Sequence, residues 1–264
     1  MGRIIAAVAD GIATATISAP PMNALTAAMR ADLTDHIRRF EEDGEIRVIV
    51  LRGDGRKAFC VGFDITEITS TLGSAERTRA QLERDAEPFN RLAHCPKPTM
   101  AIVEGLVLGG GLELAACCDF IFAGEGARFG FPEIKLGAMP VAGGTLRITR
   151  LIGPSRARQM VLLGDPVDAA TALAWGLIAR VVPHSELARE SAAFARRLVD
   201  SPALAIQYAK RAIDVALEVD ETEALAVARE GGARLATSAD LAAGLRAFSS
   251  RQAPQFRDKA DREQ

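Results

Sequence analysis

No excess of basic residues marks this chain: 32 Lys and Arg face 34 Asp and Glu, a formal charge of -2. That balance argues against nucleic acid as a partner, and no block of like charge forms a tail. No C-x-x-C pair occurs among Cys60, Cys95, Cys117 and Cys118, and His36, His94 and His184 are scattered. No zinc or other metal site is therefore expected. Unpaired cysteines in apolar settings pack as small hydrophobes and suit a reducing compartment, so a cytoplasmic location is expected. No apolar run approaches about 18 residues, which excludes a membrane-spanning helix. The opening MGRIIAAVADG turns polar at Asp10, too early for a signal peptide. No repeat of fixed period is present.

Two nucleotide signatures are absent on closer reading. GDGRKA (53–58) matches G-x-G-x-x-G/A in letters. A helix should open at its third small residue, but AFCVGFD follows, and no acid-ended second strand lies about 20 residues on. The triple glycine at 109–111 is followed by no Gly-Lys-Ser/Thr, so it is no phosphate loop.

What is there is an ordinary globular composition, 48% hydrophobic and 25% charged over 264 residues. That length suits one large domain, or a main domain with an appendage. Strands are predicted at 3–9 and 12–18 around the turn Asp10-Gly11, a helix near 24–42, and a buried strand at 47–51. A glycine loop follows at 53–65, then a polar helical segment at 74–93, stopped by CPKP. Strand, glycine loop and helix recur at 99–103, 104–110 and 111–117, and a strand follows at 119–123. Residues 127–144 read as loop. Helices near 143–151, 155–163 and 168–174 precede a last strand at 177–182, and the pattern is helical throughout from His184. The order is thus mixed α/β, then all-helical with few aromatics.

Three stretches carry candidate chemistry. In LVLGGGLELAACCDF (106–120), glycines interrupt an apolar run and Glu113 follows. Without a Cβ, the backbone amides can be approached closely, and a helix starting at Gly110 leaves its first N–H groups unpaired. Glu113 lies one turn along the same face. Equally, the glycines could serve tight helix–strand packing, with Glu113 capping its own helix. FGFPEIKLG (129–137) sets Glu133 in an otherwise apolar loop, as a solvent-exposed residue or as the partner of Glu113 in acid/base work. In AFCVGFDI (58–65), Gly62 bends the chain and exposes the N–H of Phe63, or forms an ordinary strand-end turn.

Taken together with MNAL (22–25), KPTMAIVEGLVLGGGLELAACCDF, RFGFPEIKLGAMPVAGGTLRITRLIG and ALAWGLIARVV, these stretches resemble the enoyl-CoA hydratase/isomerase (crotonase) superfamily across most of the chain. The resemblance implies an α/β fold, a crotonase-type spiral of repeated ββα units. Residues 1–195 would form the core with the acyl-CoA site, and 196–264 a C-terminal helical region for oligomer packing. A homotrimer or dimer of trimers is implied. The amides of Phe63 and Gly110 would form an oxyanion hole for the thioester oxygen. Glu113 and Glu133 fall on the family's hydratase pair, Glu113 taking a proton from water and Glu133 delivering one to C2. Lys57, Ala58, Val61, Asp64, Ile65 and Thr66 would line the coenzyme A site, with Arg56 and Lys57 near its phosphates. No cofactor is implied, because coenzyme A enters as part of the substrate.

This sequence departs from the family pattern at four places. Thr66 stands where many relatives carry lysine, and Phe63 where alanine is common. Phe131 replaces a glutamine, and Val141 the glycine of Pro-Gly-Ala-Gly-Gly. Phe131 and Val141 would tighten the acyl pocket and make it less polar. Hydration of a 2-enoyl-CoA is the leading implication. Double-bond isomerisation on the same scaffold stands second, and a non-catalytic acyl-CoA binding or assembly protein third.

Overall fold

The computed structural model describes residues 2–68 and 73–260. The residues of the two expected domains that fall at Met1, 69–72 and 261–264 lie outside these. The chain opens with β1 (Arg3–Ala9) and β2 (Ile12–Ser18), an antiparallel hairpin whose register pairs Ala9 with Ile12. Asp10 and Gly11, at φ 50° and 78°, make the two-residue turn; both central residues need positive φ to match the strand twist. α1 (Ala27–Glu42) starts at Thr26, whose hydroxyl accepts the Met29 N–H at 3.3 Å. Met29, Leu33, Ile37 and Phe40 recur at helical spacing and are buried.

From the third strand to the eighth, consecutive strands alternate between two sheets. β3 (Val48–Gly53), β5 (Thr99–Val103), β7 (Phe120–Gly124) and β10 (Arg180–Val182) extend the hairpin into a six-stranded sheet, ordered β1-β2-β3-β5-β7-β10 and parallel from β2 onward. β4 (Ala58–Cys60), β6 (Leu106–Leu108), β8 (Arg128–Gly130) and β9 (Val167–Asp168) build a second, four-stranded sheet. Each turn of the chain lays one strand in each sheet and returns through a helix, so the backbone advances as a spiral.

The large sheet is covered on both faces, and β3 shows why its sequence is a continuous apolar run. Ile49 and Leu51 point into the main core with α1, while Val48 and Val50 point to a second cluster with Met100, Phe122, Leu187 and Ala195. Leu187 and Ala195 belong to α8 (His184–Val199), and the expected boundary at 195/196 falls inside that helix.

The remaining elements are α2 (Ile65–Ile68), α3 (Ala75–Asp85), α4 (Glu87–Ala93), α5 (Gly110–Ala115), α6 (Gly144–Leu163), α7 (Ala169–Trp175), α9 (Ala203–Val215), α10 (Glu221–Leu235) and α11 (Ala239–Ser250), with a 3-10 turn at Pro132–Leu136. α6 is broken at Gly153, whose φ 78° and ψ 161° are not helical, so it consists of the two helices expected at 143–151 and 155–163. Two expectations are corrected. Residues 53–65, 104–110 and 127–144 are not loop throughout, since they hold β4, β6 and β8; strands of three residues are too short to show a period. The chain is also not helical to its end. Arg251, at φ 56°, terminates α11, and Pro254 disfavours helix in the residue before it. The segment beyond folds back instead, with the Asp258 carbonyl accepting from Arg47 at 3.0 Å and the Arg257 N–H donating to Asp240 at 2.6 Å. Among the described residues no helix is long and apolar enough to cross a membrane.

Candidate active site

The first wall of the site is the turn after β4. Asn23, fully buried, donates through Nδ2 to the carbonyls of Asp54 (3.0 Å) and Ala58 (2.8 Å) and fixes the loop between β3 and β4. Leu25 then straddles the turn: its N–H donates to the Gly62 carbonyl at 2.8 Å, and its carbonyl accepts the Asp64 N–H at 3.0 Å. The groups on either side of Phe63 are thereby used. Among the described residues no acceptor takes the Phe63 N–H itself.

The second wall is the turn after β6. The Gly109 N–H donates to the Gly130 carbonyl at 3.0 Å, and the Gly109 carbonyl accepts the Glu113 N–H at 3.0 Å. Gly110, the first residue of α5, likewise has an N–H with no acceptor among the described residues. The two turns touch. A Cβ on Gly62, at φ 101°, would stand 2.9 Å from the Gly110 nitrogen, and one on Gly111 would stand 2.1 Å from the Cys60 carbonyl oxygen. The glycines therefore permit backbone-to-backbone approach, and the result is two adjacent turns each with an unused amide.

Glu133 reaches the second turn, and Glu113 belongs to the helix that follows it. Glu113 is only 2% exposed, and its Oε1 accepts the N–H groups of Ala142 (2.8 Å) and Gly144 (2.7 Å). It does not cap its own helix; it caps α6, 31 residues on. Burial, reinforced by the nearby Glu133 charge and opposed by those two N–H groups, pushes its carboxyl up to about 7. Glu133 sits in the 3-10 turn with Oε1 2.8 Å from where a Gly109 Cβ would be. Its Oε2 is buried with no hydrogen-bond partner, and burial raises its pKa too. Two glutamates 20 residues apart in sequence are near neighbours in the fold, Glu133 against the Gly109 turn and Glu113 at the start of α6.

The Glu113 shift has a measurable consequence for stability. Its carboxyl ordinarily titrates near 4.5. Between there and about 7 the native state holds a proton that the unfolded chain has released. Stability from this group is thus present below about 4.5 and lost as pH rises through about 7, by about 3 kcal/mol. Urea midpoints at about pH 5 and about pH 8 are expected to fall further in the parent than in Glu113→Gln.

The other expected site residues divide into two groups. Ala58 is buried and Val61 and Asp64 half-buried, whereas Lys57 and Thr66 are exposed and Ile65 is 64% exposed. Asp64 Oδ1 accepts from both the N–H (3.0 Å) and the hydroxyl (2.7 Å) of Thr66, which starts α2 and holds the Asp64 carboxyl below its usual value. Phe131 is fully buried. Its ring lies 3.0 Å from where a Gly144 Cβ would be, beside Glu113, so it forms the floor behind that carboxylate. Val141, 45% exposed, faces an open groove along α3, lined by Thr78, Leu82 and Ala86.

Sequence reading missed two supporting arginines. Arg147 packs on Gly143, donates to the Ala142 carbonyl at 2.9 Å, and electrostatically lowers Glu113. Arg30 lies on the buried face of α1, among Met29, Leu33 and Ile37. The signal for Arg30 was a charge inside an apolar helical stripe.

A spiral of ββα turns, with two glycine turns, a buried Glu113 and a half-buried Glu133 beside them, defines a family when set beside known proteins. The family model described as enoyl-CoA hydratase/isomerase matches residues 7–259, and the chain belongs to that family, the crotonase superfamily. It is 35% identical to the 2,3-dehydroadipyl-CoA hydratase of Escherichia coli over 98% of this chain and 100% of that one. It is 32% identical to the crotonyl-CoA hydratase of Syntrophomonas wolfei over 90% and 91% of the two chains. The solved enoyl-CoA hydratase of Bacillus anthracis superposes with a TM-score of 0.90 at 30% identity, covering 96% of this chain and 98% of that one.

Proposed function

We propose that this protein hydrates 2-enoyl-CoA thioesters. The observation that carries the reading is that Glu133 lies against Gly109, in the turn that also bears the unused Gly110 amide, while Glu113 is buried close enough to feel its charge. The Phe63 and Gly110 N–H groups hold the thioester oxygen as it gains charge, which lowers the barrier to an enolate-like state. Glu113 takes a proton from water, the resulting hydroxide oxygen bonds to C3, and Glu133 delivers a proton to C2. The C2–C3 double bond becomes single and one water is consumed, so the step balances with coenzyme A present only as part of the substrate. Burial raises both carboxyls, Glu113 to about 7, so each holds a proton more readily than a solvated carboxylate, as an acceptor and donor pair needs.

Coenzyme A lies along Lys57, Ala58, Val61, Asp64, Ile65 and Thr66, with exposed Arg56 and Lys57 toward its phosphates. Val141 and the adjoining α3 groove bound the acyl group, with Phe131 behind. The active species is a homotrimer or dimer of trimers. Leu241, Leu245 and Phe248 of α11, the last 86% exposed, leave an apolar face for a second copy. The four cysteines are free thiols, which suits a cytoplasmic location.

The test is product identification with crotonyl-CoA and longer 2-enoyl-CoAs. A 3-hydroxyacyl-CoA product is expected. Conversion of a 3-enoyl-CoA to the 2-enoyl form without hydration would make the protein an isomerase instead. Tight acyl-CoA binding with no turnover of either would make it a binding protein.

A further inference from the structure

The Phe63 ring is held as firmly as its backbone, and by a residue outside the set just described. Arg30 is 4% exposed, and its guanidinium carbon stands 4.5 Å from the centre of the Phe63 ring. A buried guanidinium is costly unless each edge finds an acceptor. Here Nη1 donates to the Leu25 carbonyl at 2.7 Å, Nε and Nη2 reach Asp85 Oδ1 at 2.9 and 2.8 Å, and Nη2 lies 3.3 Å from Glu67 Oε2. Each partner leads elsewhere. Leu25 straddles the Gly62–Asp64 turn. Glu67 lies in α2 and accepts the first N–H of α1, from Ala27, at 2.8 Å. Asp85 ends α3 and also accepts from Gln81 at 2.9 Å.

The ring also meets the other half of the site. Phe63 Cε1 and Cδ1 stand 3.0 and 3.1 Å from where a Gly110 Cβ would be, and Phe89 of α4 packs edge-on with ring centres 5.8 Å apart. The ring therefore touches both the Arg30 guanidinium and the start of α5. A ring held at both contacts adds to the Leu25 hydrogen bonds in restraining Phe63, and with it the Phe63 N–H beside Gly110.

We propose that Arg30 is a positioning residue for the reaction: by stacking on Phe63 and tying Leu25, Glu67 and Asp85 together, it holds the two amides at one spacing. This rests on the oxyanion reading given above. Lysine cannot replace it, because an ammonium offers neither a flat face to the ring nor a fork to three acceptors at once.

The test uses butyryl-CoA, a saturated thioester that binds without being hydrated, with its carbonyl stretch read by infrared difference spectroscopy. In the parent the band is expected to move to lower wavenumber on binding. In Arg30→Met and Arg30→Lys most of that displacement is expected to disappear, with butyryl-CoA affinity within about threefold of the parent. Hydration kcat is expected to fall by about 10- to 100-fold, less than removing a donor outright. A folded Arg30→Met with the parent band and parent kcat overturns the proposal, because loss of stability alone does not move the band of the folded fraction. Should Arg30→Met fail to fold, Phe63→Leu keeps every ion pair and the amide but removes the stacked face. A partial loss of the band displacement is then expected, and an unchanged band overturns the proposal. A parent that binds butyryl-CoA with no displacement rejects the oxyanion reading itself, and the role of Arg30 with it.

Discussion

Glu113→Gln and Glu133→Gln are each expected to lower hydration kcat by about 10²- to 10⁴-fold, the usual range for removing a positioned acid or base. KM is expected to change little. Hydration needs both groups, one for the proton leaving water and one for the proton reaching C2, so neither variant retains the activity. An isomerase needs one carboxylate to shuttle a proton between C2 and C4, and would lose its activity in one variant only. The pair of variants thus separates the two reactions as well as testing the roles. Glu113→Gln is isosteric, and its side-chain oxygen can still accept the N–H groups of Ala142 and Gly144. It also removes a charge from a position 2% exposed. At about pH 8 this variant is expected to be more stable than the parent by about 1–3 kcal/mol, a trade of stability against activity at a functional site. Circular dichroism melts beside the assay check both. A Glu113→Gln protein that hydrates crotonyl-CoA at the parent rate would remove this carboxylate from the mechanism.

Gly62→Ala is expected to lower kcat by about 10²- to 10³-fold, the loss seen when an oxyanion donor is removed. Its φ of 101° is a conformation that L side chains rarely adopt, and the new Cβ would stand 2.9 Å from the Gly110 nitrogen and 3.4 Å from the Leu108 carbonyl oxygen. Both neighbours are backbone, so neither can swing aside. The turn must open, and the Phe63 and Gly110 amides separate. Gly55→Ala isolates the conformational cost: Gly55 has φ 77° but nothing within 4 Å of its Cβ position. That change is expected to lose about 1–2 kcal/mol of stability with little loss of kcat. Equal kcat losses in the two variants would show that the gap between the amides is not what Gly62 protects.

Several features of the chain were legible locally. Asp10-Gly11 signals a two-residue hairpin, and strands form on both sides with the expected bounds. TMAIV reads as a buried strand and is one. The glycines of 109–111 announce close backbone approach, and Gly111 lies against Cys60. The second sheet stayed hidden because β4, β6 and β8 have three residues each, while β9 has two. Such strands are set by the neighbours they pair with, parallel for β4, β6 and β8 and antiparallel for β9 on β8, not by their own alternation. The folded-back segment after α11 was hidden for a similar reason, since its partners Arg47 and Asp240 are remote in sequence or on another element.

By itself the sequence determined the alternation of strands and helices, the two glycine turns, and the presence of two carboxylates in apolar surroundings. These follow from side-chain period and from backbone freedom, which act over a few residues. Only the tertiary structure decided that Glu113 caps α6 rather than its own helix, that Glu133 lies against Gly109, and that Arg30 stacks on Phe63. Those contacts join segments 20 to 40 residues apart. Their geometry is fixed by how the spiral stacks its sheets and by which buried charges must find acceptors, and no local pattern records either.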